Sequence, residues 1–199
     1  MLARCGVVTA SEVDALVTPL WKARAGAGVQ TYLYQKLSER VMGYIEEGPA
    51  SSFAMTQGQI VETIAVPWYE FAHDVKINRV GFCVSDDGKI GCSPDGLLGD
   101  DGGIEIKSPQ PKQHLRYLME GEVPAQYRAQ VQFSLYVTGR KWWKFVSYHP
   151  HLPPLVVHVE PDPQAQSALR GAVNAFVTDL DAANEKMKSI MQASQGGRA

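Results

Sequence analysis

Cysteine, long apolar runs and an excess of either charge are all scarce in this 199-residue chain. Cysteine occurs only at positions 5, 83 and 92, an odd number without CxxC spacing. That excludes a disulfide scaffold or a structural zinc site and fits a reducing cytoplasm. No apolar run reaches the roughly 18 residues that a membrane-spanning helix needs, and Met1 to Gly6 lacks the apolar core of a signal peptide. Nineteen Lys and Arg stand against 21 Asp and Glu, for a formal charge of −2. The chain is therefore no polycation, and any contact with nucleic acid must use a local basic surface. Repeats and low-complexity linkers are missing too. The spacing Gly96-x-x-Gly99 sits in a strand-to-strand loop, which excludes a phosphate cradle of the dinucleotide type.

What is present suits one α/β domain over residues 1–199, with a polar, frayed tail from about 192. A short helix is expected over 9–17, with Thr9 or Ser11 as N-cap and Pro19 after it. Apolar residues at Tyr32, Leu33, Leu37 and Val41 recur at helical spacing, so a long helix is expected from Val29 to Glu46, stopped by Gly48-Pro49. A third helix runs from about Gly58 to His73 despite Pro67. Val75 to Ser85 and Lys89 to Ser93 read as two arms of a hairpin around Asp86-Asp87-Gly88. After a turn at Asp100 to Gly103 comes a strand with Glu105. Helices follow at 111–120 and 124–137, then strands at 142–148 and 155–159, and a closing helix over 167–191. This order, without strict βαβ alternation, predicts helices flanking a small mixed sheet.

The segment that carries chemistry is Ser93-Pro94-Asp95-Gly96, followed after nine intervening residues from Asp95 by Glu105-Ile106-Lys107. Ile104 and Ile106 alternate with charge, so on a strand Glu105 and Lys107 point to one face. Alone, such a pair reads as the solvent face of an amphipathic strand. With Asp95 it reads as a hydrolytic site. Two carboxylates hold a hard cation such as Mg²⁺, and a lysine beside them positions the attacking water and helps to deprotonate it.

Asp95, Glu105 and Lys107 match the PD-(D/E)XK nuclease pattern, and further motifs make the chain resemble lambda exonuclease and similar phage recombination exonucleases. The resemblance runs from Arg4 to about Pro150. It includes Ser-Pro-Asp-Gly, the Glu-x-Lys strand, a helical Gly-x-x-x-Glu at Gly58 to Glu62, and Tyr127-Arg128-Ala129-Gln130-Val131-Gln132. It also includes Arg4-Cys5-Gly6-Val7-Val8-Thr9-Ala10-Ser11.

What the resemblance implies is a restriction-endonuclease-like mixed sheet flanked by helices. Mg²⁺, with Mn²⁺ as a substitute, would be held by Asp95, Glu105 and the Ile106 carbonyl. Lys107 would act on the water, Gln130 would help to hold water or substrate, and Glu62 would add an acidic group. Tyr127 would face DNA, and Arg4, Ser11 and Ser93 would take a 5′-phosphate. A guanidinium and a hydroxyl at a helix start suit that anion. The implied activity is 5′-to-3′ degradation of double-stranded DNA ends to 5′-mononucleotides, leaving 3′ tails. A homotrimeric ring and a phage single-strand annealing protein would be its partners, in the cytoplasm of a bacterial host.

A further carboxylate expected ahead of Ser-Pro-Asp-Gly has no clear counterpart, since Asp86 and Asp87 fall in a turn. Gln130 and Gln132 cannot face the same way on a helix, and Gln130 is preferred for the site. His149-Pro150-His151 reads as loop. Of the adjacent Trp142 and Trp143, one faces the core. Arg140, Lys141 and Lys144 form either an ordinary basic edge or a track for backbone phosphates. Two other functions fit the same residues: a sequence- or structure-specific endonuclease, and a catalytically inactive DNA-end-binding module.

Overall fold

The structure, a computed structural model, describes residues 4–45, 56, 58 and 60–196. The expected helix at 9–17 is replaced by a short strand, β1 (Val8–Thr9), and a single 3₁₀ turn at Val13–Ala15. The reason lies in the backbone. Val8 N–H donates to Lys89 O and Ala10 N–H to Gly91 O, so the backbone at the start of the segment is held extended in a sheet where a first helical turn would begin. Thr9 does not cap a helix; its hydroxyl donates to Glu12 Oε2 at 2.8 Å.

Helix α1 (Ala27–Met42) buries Tyr32, Leu33 and Leu37, as the periodicity predicts, and ends on left-handed Gly43. Gly48 and Pro49 lie outside the described residues. The helix that carries Gly58 contains a π-helical turn, Val61–Ala65, before α2 (Val66–His73). Val66 N–H bonds to Val61 O, five residues back. Pro67, which has no N–H to give, follows at once, so the widened turn sits where the α-helical ladder loses a donor.

The apolar run at 75–85 is not one strand. It splits into β2 (Ile77–Asn78) and β3 (Cys83–Val84), which join different sheets. Strand β4 (Ile90–Cys92) completes the hairpin with β3, around a turn in which the Asp87 carboxylate accepts from Ser85 Oγ and Lys89 N–H. Gly96 to Leu98, expected as loop, forms β5 antiparallel to β6 (Gly102–Lys107). Next come α3 (Pro111–Glu120), α4 (Ala125–Thr138, ending on left-handed Gly139), β7 (Trp142–Ser147) and β8 (Leu155–Val159). Helix α5 (Pro163–Gly196) starts earlier and runs further than expected. Asp162 Oδ1 accepts from Ala165 N–H at its start, and helix replaces the predicted tail at 192–196.

Two mixed sheets result, β1-β4-β3 and β2-β5-β6-β7-β8, with β1 parallel to β4 and β6 parallel to β7. The β6-to-β7 crossover carries α3 and α4, as a parallel connection requires. Ile104 and Ile106 of β6 pack with Ile77, Leu98, Val146 and the π-turn residues Val61 and Ala65 on one face. Trp143 and Phe145 of β7 pack with Val131 and Leu135 of α4 on the other. Leu169, Val173, Phe176, Val177 and Leu180 form the stripe by which α5 closes a separate core over β1, β4 and α1. This is the restriction-endonuclease-like mixed α/β arrangement that the resemblance implied.

Strand β6 packs closely on β7. A Cβ added to Gly103 would lie 2.2 Å from the ring of Trp143, which is fully buried and cannot step aside. Gly103→Ala is therefore expected to destabilise the protein by about 1–3 kcal/mol, the cost of overpacking a closed core, as read from the midpoint of urea unfolding.

Candidate active site

Alternation along β6 turns Ile104 and Ile106 to the π-turn side and sends Glu105 and Lys107 beneath α4. The register agrees, because Glu105 pairs with Phe145, which packs on the same side. Glu105 is buried, and one of its oxygens, Oε1, accepts from Lys107 Nζ at 2.5 Å and from Gln130 Nε2 at 2.6 Å. Gln130 reaches it from α4. Gln132, two residues on, turns away to donate to Glu160 O and to accept from Asp162 N–H. Tyr127, one turn before Gln130, sets its ring 5.2 Å from Lys107 Nζ and packs against Phe145.

Asp95 enters from the connection between β4 and β5. Its Oδ2 accepts from Ile106 N–H at 2.6 Å. Strand β5 ends at Gly96, opposite Ile104, so beyond that pair the β6 edge has no strand beside it. Asp95 takes the backbone donor that β5 leaves behind. In a strand the N–H and C=O of one residue point to the same edge, while Lys107 C=O faces β7 and accepts from Tyr148 N–H. The Ile106 carbonyl thus shares an edge with the Asp95 carboxylate. Together they flank an open cleft of about 240 Å³ lined by Gly58, Val61, Arg79, Asp95, Ile106, Lys107 and Ser108.

The electrostatics of this cleft are unusual for a protein interior. Burial pushes the Glu105 carboxyl up, to about 7; Lys107 pulls it down and the neighbouring Asp95 pushes it up further. Burial alone would lower Lys107, but the carboxylates of Glu105 and Asp95 outweigh it and raise the ammonium above its ordinary value. Two carboxylates gathered with one backbone carbonyl form a donor set of hard oxygens, which suits Mg²⁺ or Mn²⁺ and does not suit a soft metal. Among the described residues no three His, Cys, Asp or Glu side chains come together, and the side chain of Glu62 is outside them. Asp87 is held in the β3–β4 turn and Asp86 is exposed there.

Two of the three predicted phosphate residues, Arg4 and Ser11, lie at a second cleft of about 270 Å³, lined also by Thr9, Glu12, Lys36, Glu39 and Ile45, and Ser93 is not part of its lining. Sequence reasoning passed over Lys36, which is buried and pairs with Glu12 at 2.8 Å and Glu39 at 3.0 Å. Its only signal was its place among the apolar residues of the α1 stripe. Ser11 and Ser93 are both exposed, and they approach through the sheet. Thr9 pairs with Gly91 on parallel strands, so each serine lies two residues beyond a paired position, at the same end. Asp95 is two residues further. Other expected contacts are taken up within the fold. Arg140 donates to Gly99 O and Gly102 O, and Lys141 pairs with Asp101. His114, which stacks near His149, has both ring nitrogens engaged, by Ser147 Oγ and Pro153 O.

A family model, the YqaJ-like viral recombinase domain, matches residues 1–141. This chain belongs to that family. The YqaJ-like domain also resembles an alkaline exonuclease, LHK-Exo of Laribacter hongkongensis, at 30% identity, with 96% of each chain covered and a TM-score of 0.84. LHK-Exo in complex with dAMP matches at 29% identity, again over 96% of each chain, with a TM-score of 0.85. A phage related exonuclease of Haemophilus somnus shares the fold at 12% identity, with 91% of this chain and 96% of that one covered and a TM-score of 0.69. Among curated proteins none matches. The family places this YqaJ-like domain among nucleases of recombination. Among its described residues no helix is long and apolar enough to cross a membrane.

With burial raising the Glu105 carboxyl to about 7, a cation held there would have to displace a proton below that pH. The apparent affinity for Mn²⁺ is therefore expected to rise about tenfold per pH unit up to that point and to level off above it, where the carboxylate is already ionised. Calorimetric titration in buffers of different ionisation enthalpy checks this, with proton release on binding at pH 6 and little at pH 8.5.

Proposed function

We propose that this YqaJ-like domain is a divalent-metal-dependent exonuclease that degrades double-stranded DNA in the 5′-to-3′ direction, from 5′-phosphorylated ends to 5′-mononucleotides. The observation that carries this reading is the convergence of Asp95, Glu105 and the Ile106 carbonyl at the open edge of β6, with Lys107 and Gln130 on the inner carboxylate. These three oxygen donors would hold Mg²⁺ or Mn²⁺. When bound, the cation supplies charge stabilisation at the phosphate and at the departing 3′-oxygen.

The protein's own residues do the rest. Water attacks the phosphorus between the first and second nucleotides and gives up a proton to solvent, the bond to the 3′-oxygen breaks, and that oxygen takes up a proton from solvent as it leaves. The shortened strand keeps a new 5′-phosphate. Lys107, beside the Glu105 carboxylate, would hold the attacking water and help to activate it, as the motif implies. Gln130 fixes the Glu105 carboxylate by donating to its Oε1. Glu62, near the start of the helix that lines the cleft, would add an acidic group.

Arg4, Ser11 and Ser93 would seat the terminal 5′-phosphate, supported by the parallel register that carries both serines toward Asp95. Lys36 offsets one of the two negative charges of Glu12 and Glu39 in that cleft, which lowers the cost of bringing an anion to it. Tyr127 would line the path of the strand. LHK-Exo binds dAMP, a nucleoside monophosphate of the product class. A ring of three copies around the duplex, and a phage single-strand annealing protein that takes the 3′ tail in a bacterial cytoplasm, rest on the family resemblance.

The test is release of acid-soluble nucleotides from linear duplex DNA in Mg²⁺. Wild type is expected to prefer 5′-phosphate over 5′-hydroxyl ends, and Lys107→Ala to slow release by at least about 100-fold, as loss of a transition-state donor does. Arg4→Ala should slow only the 5′-phosphorylated substrate. Cleavage of closed circular DNA as fast as linear DNA would overturn the exonuclease reading.

A further inference from the structure

A second cation, which the sequence reading did not single out, lines the cleft. Arg79 directly follows β2. The β2–β5 register pairs Ile77 with Leu98 and Asn78 with Leu97, so the next step sets Arg79 opposite Gly96, the residue after Asp95. The approach is close there. A Cβ on Gly96 would lie 2.1 Å from Ile77 Cγ2 and 3.3 Å from Asn78 O, so β2 rests against the very point where the chain leaves Asp95. Ile77 is buried in the core and its N–H is held by Glu70 Oε1 at 2.8 Å. The backbone that presents Arg79 is thereby anchored on both sides. The side chain itself is exposed and lines the same cleft as Asp95, Ile106 and Lys107.

Charge decides what such a residue can do. A phosphodiester that enters this cleft meets the Asp95 carboxylate, with that of Glu105 buried behind the wall, and Lys107 is spent in part on Glu105. Lys107 comes from β6, and Arg79 comes from the strand at the far edge of the sheet. A guanidinium is always charged, weakly hydrated and shaped for phosphate oxygens, so it binds a phosphate where an ammonium would stay in water. We propose that Arg79 is a substrate-binding residue that donates to a non-bridging oxygen of the phosphodiester to be cut, from the cleft wall formed by β2. The inference rests on the proposed nuclease function. It adds a contact that holds the reacting phosphate itself, distinct from the terminal 5′-phosphate.

The experiment measures equilibrium binding of a 5′-phosphorylated duplex end, with Ca²⁺ in place of Mg²⁺, to wild type, Arg79→Ala and Arg79→Lys. Each is tested with a natural first linkage and with a neutral methylphosphonate there. Arg79→Ala should weaken binding of natural DNA roughly 10- to 100-fold, the scale of one charge-assisted hydrogen bond, with Arg79→Lys intermediate. The same substitution should cost little on the methylphosphonate duplex. A methylphosphonate placed several linkages further in should leave the full Arg79→Ala penalty intact. Equal penalties on both duplexes would overturn the proposal, since they would mark a residue that acts on the fold or on distant phosphates. If Arg79→Ala does not fold, Arg79→Gln gives the same comparison. A wild type that neither binds ends nor releases nucleotides overturns the nuclease reading along with this one; a normal wild type without the coupling overturns only this one.

Discussion

The hydrogen bond from Ile106 N–H to the Asp95 carboxylate ties together every other feature of the candidate site. It exists because β5 is short. Strand β6 outlasts its neighbour by three residues past the Gly96–Ile104 pair, and a buried strand edge cannot leave its backbone donor unpaired. A side chain from the chain leaving β4 fills the place of the missing strand. In doing so it brings a carboxylate to the end of β6 where the Ile106 carbonyl, directed to the same edge, lies past the last pair with β5. The cleft, the oxygen donors and the nearby Arg79 all follow from where β5 stops.

Burial sets the second constraint. Glu105 sits almost wholly out of water, where a carboxylate is costly, and Lys107 and Gln130 compensate that cost through one oxygen. The result is an acid raised toward neutrality beside a second acid, a state that a bound divalent cation would relieve. The surrounding structure is correspondingly rigid, with Trp143 and Phe145 on one side of the sheet and Ile104, Ile106 and Val146 on the other.

Long periodic elements were legible beforehand. Tyr32, Leu33 and Leu37 marked α1, Gly139 marked the end of α4, and the β7 and β8 strands lay within a residue of expectation. Short elements were not. The 75–85 run divides between two sheets because Ile77 has a partner in β5 and Cys83 one in β4, a choice that no local periodicity records. Segment 9–17 lost the start of its helix for the same reason, since Val8 and Thr9 pair with Ile90 and Gly91 of β4, far away along the chain. Asp95, Glu105, Lys107 and Gln130 could be picked out from motif and alternation. Lys36 and Arg79 could not, for one hides within a helical stripe and the other sits in the gap between two short strands.

Local chemistry in the sequence determined the side chains available to the site, the face on which Glu105 and Lys107 lie together, and the balance of charge that rules out a general polycation. Those properties depend on residue type and on a period of two along a strand. Tertiary structure alone decided which backbone groups were left open, how deeply Glu105 was withdrawn from water, and that Asp95 and Arg79 flank one cleft. Each of these depends on which strands pair and where they end, and pairing is settled by competition among distant segments for the same hydrogen bonds and the same core.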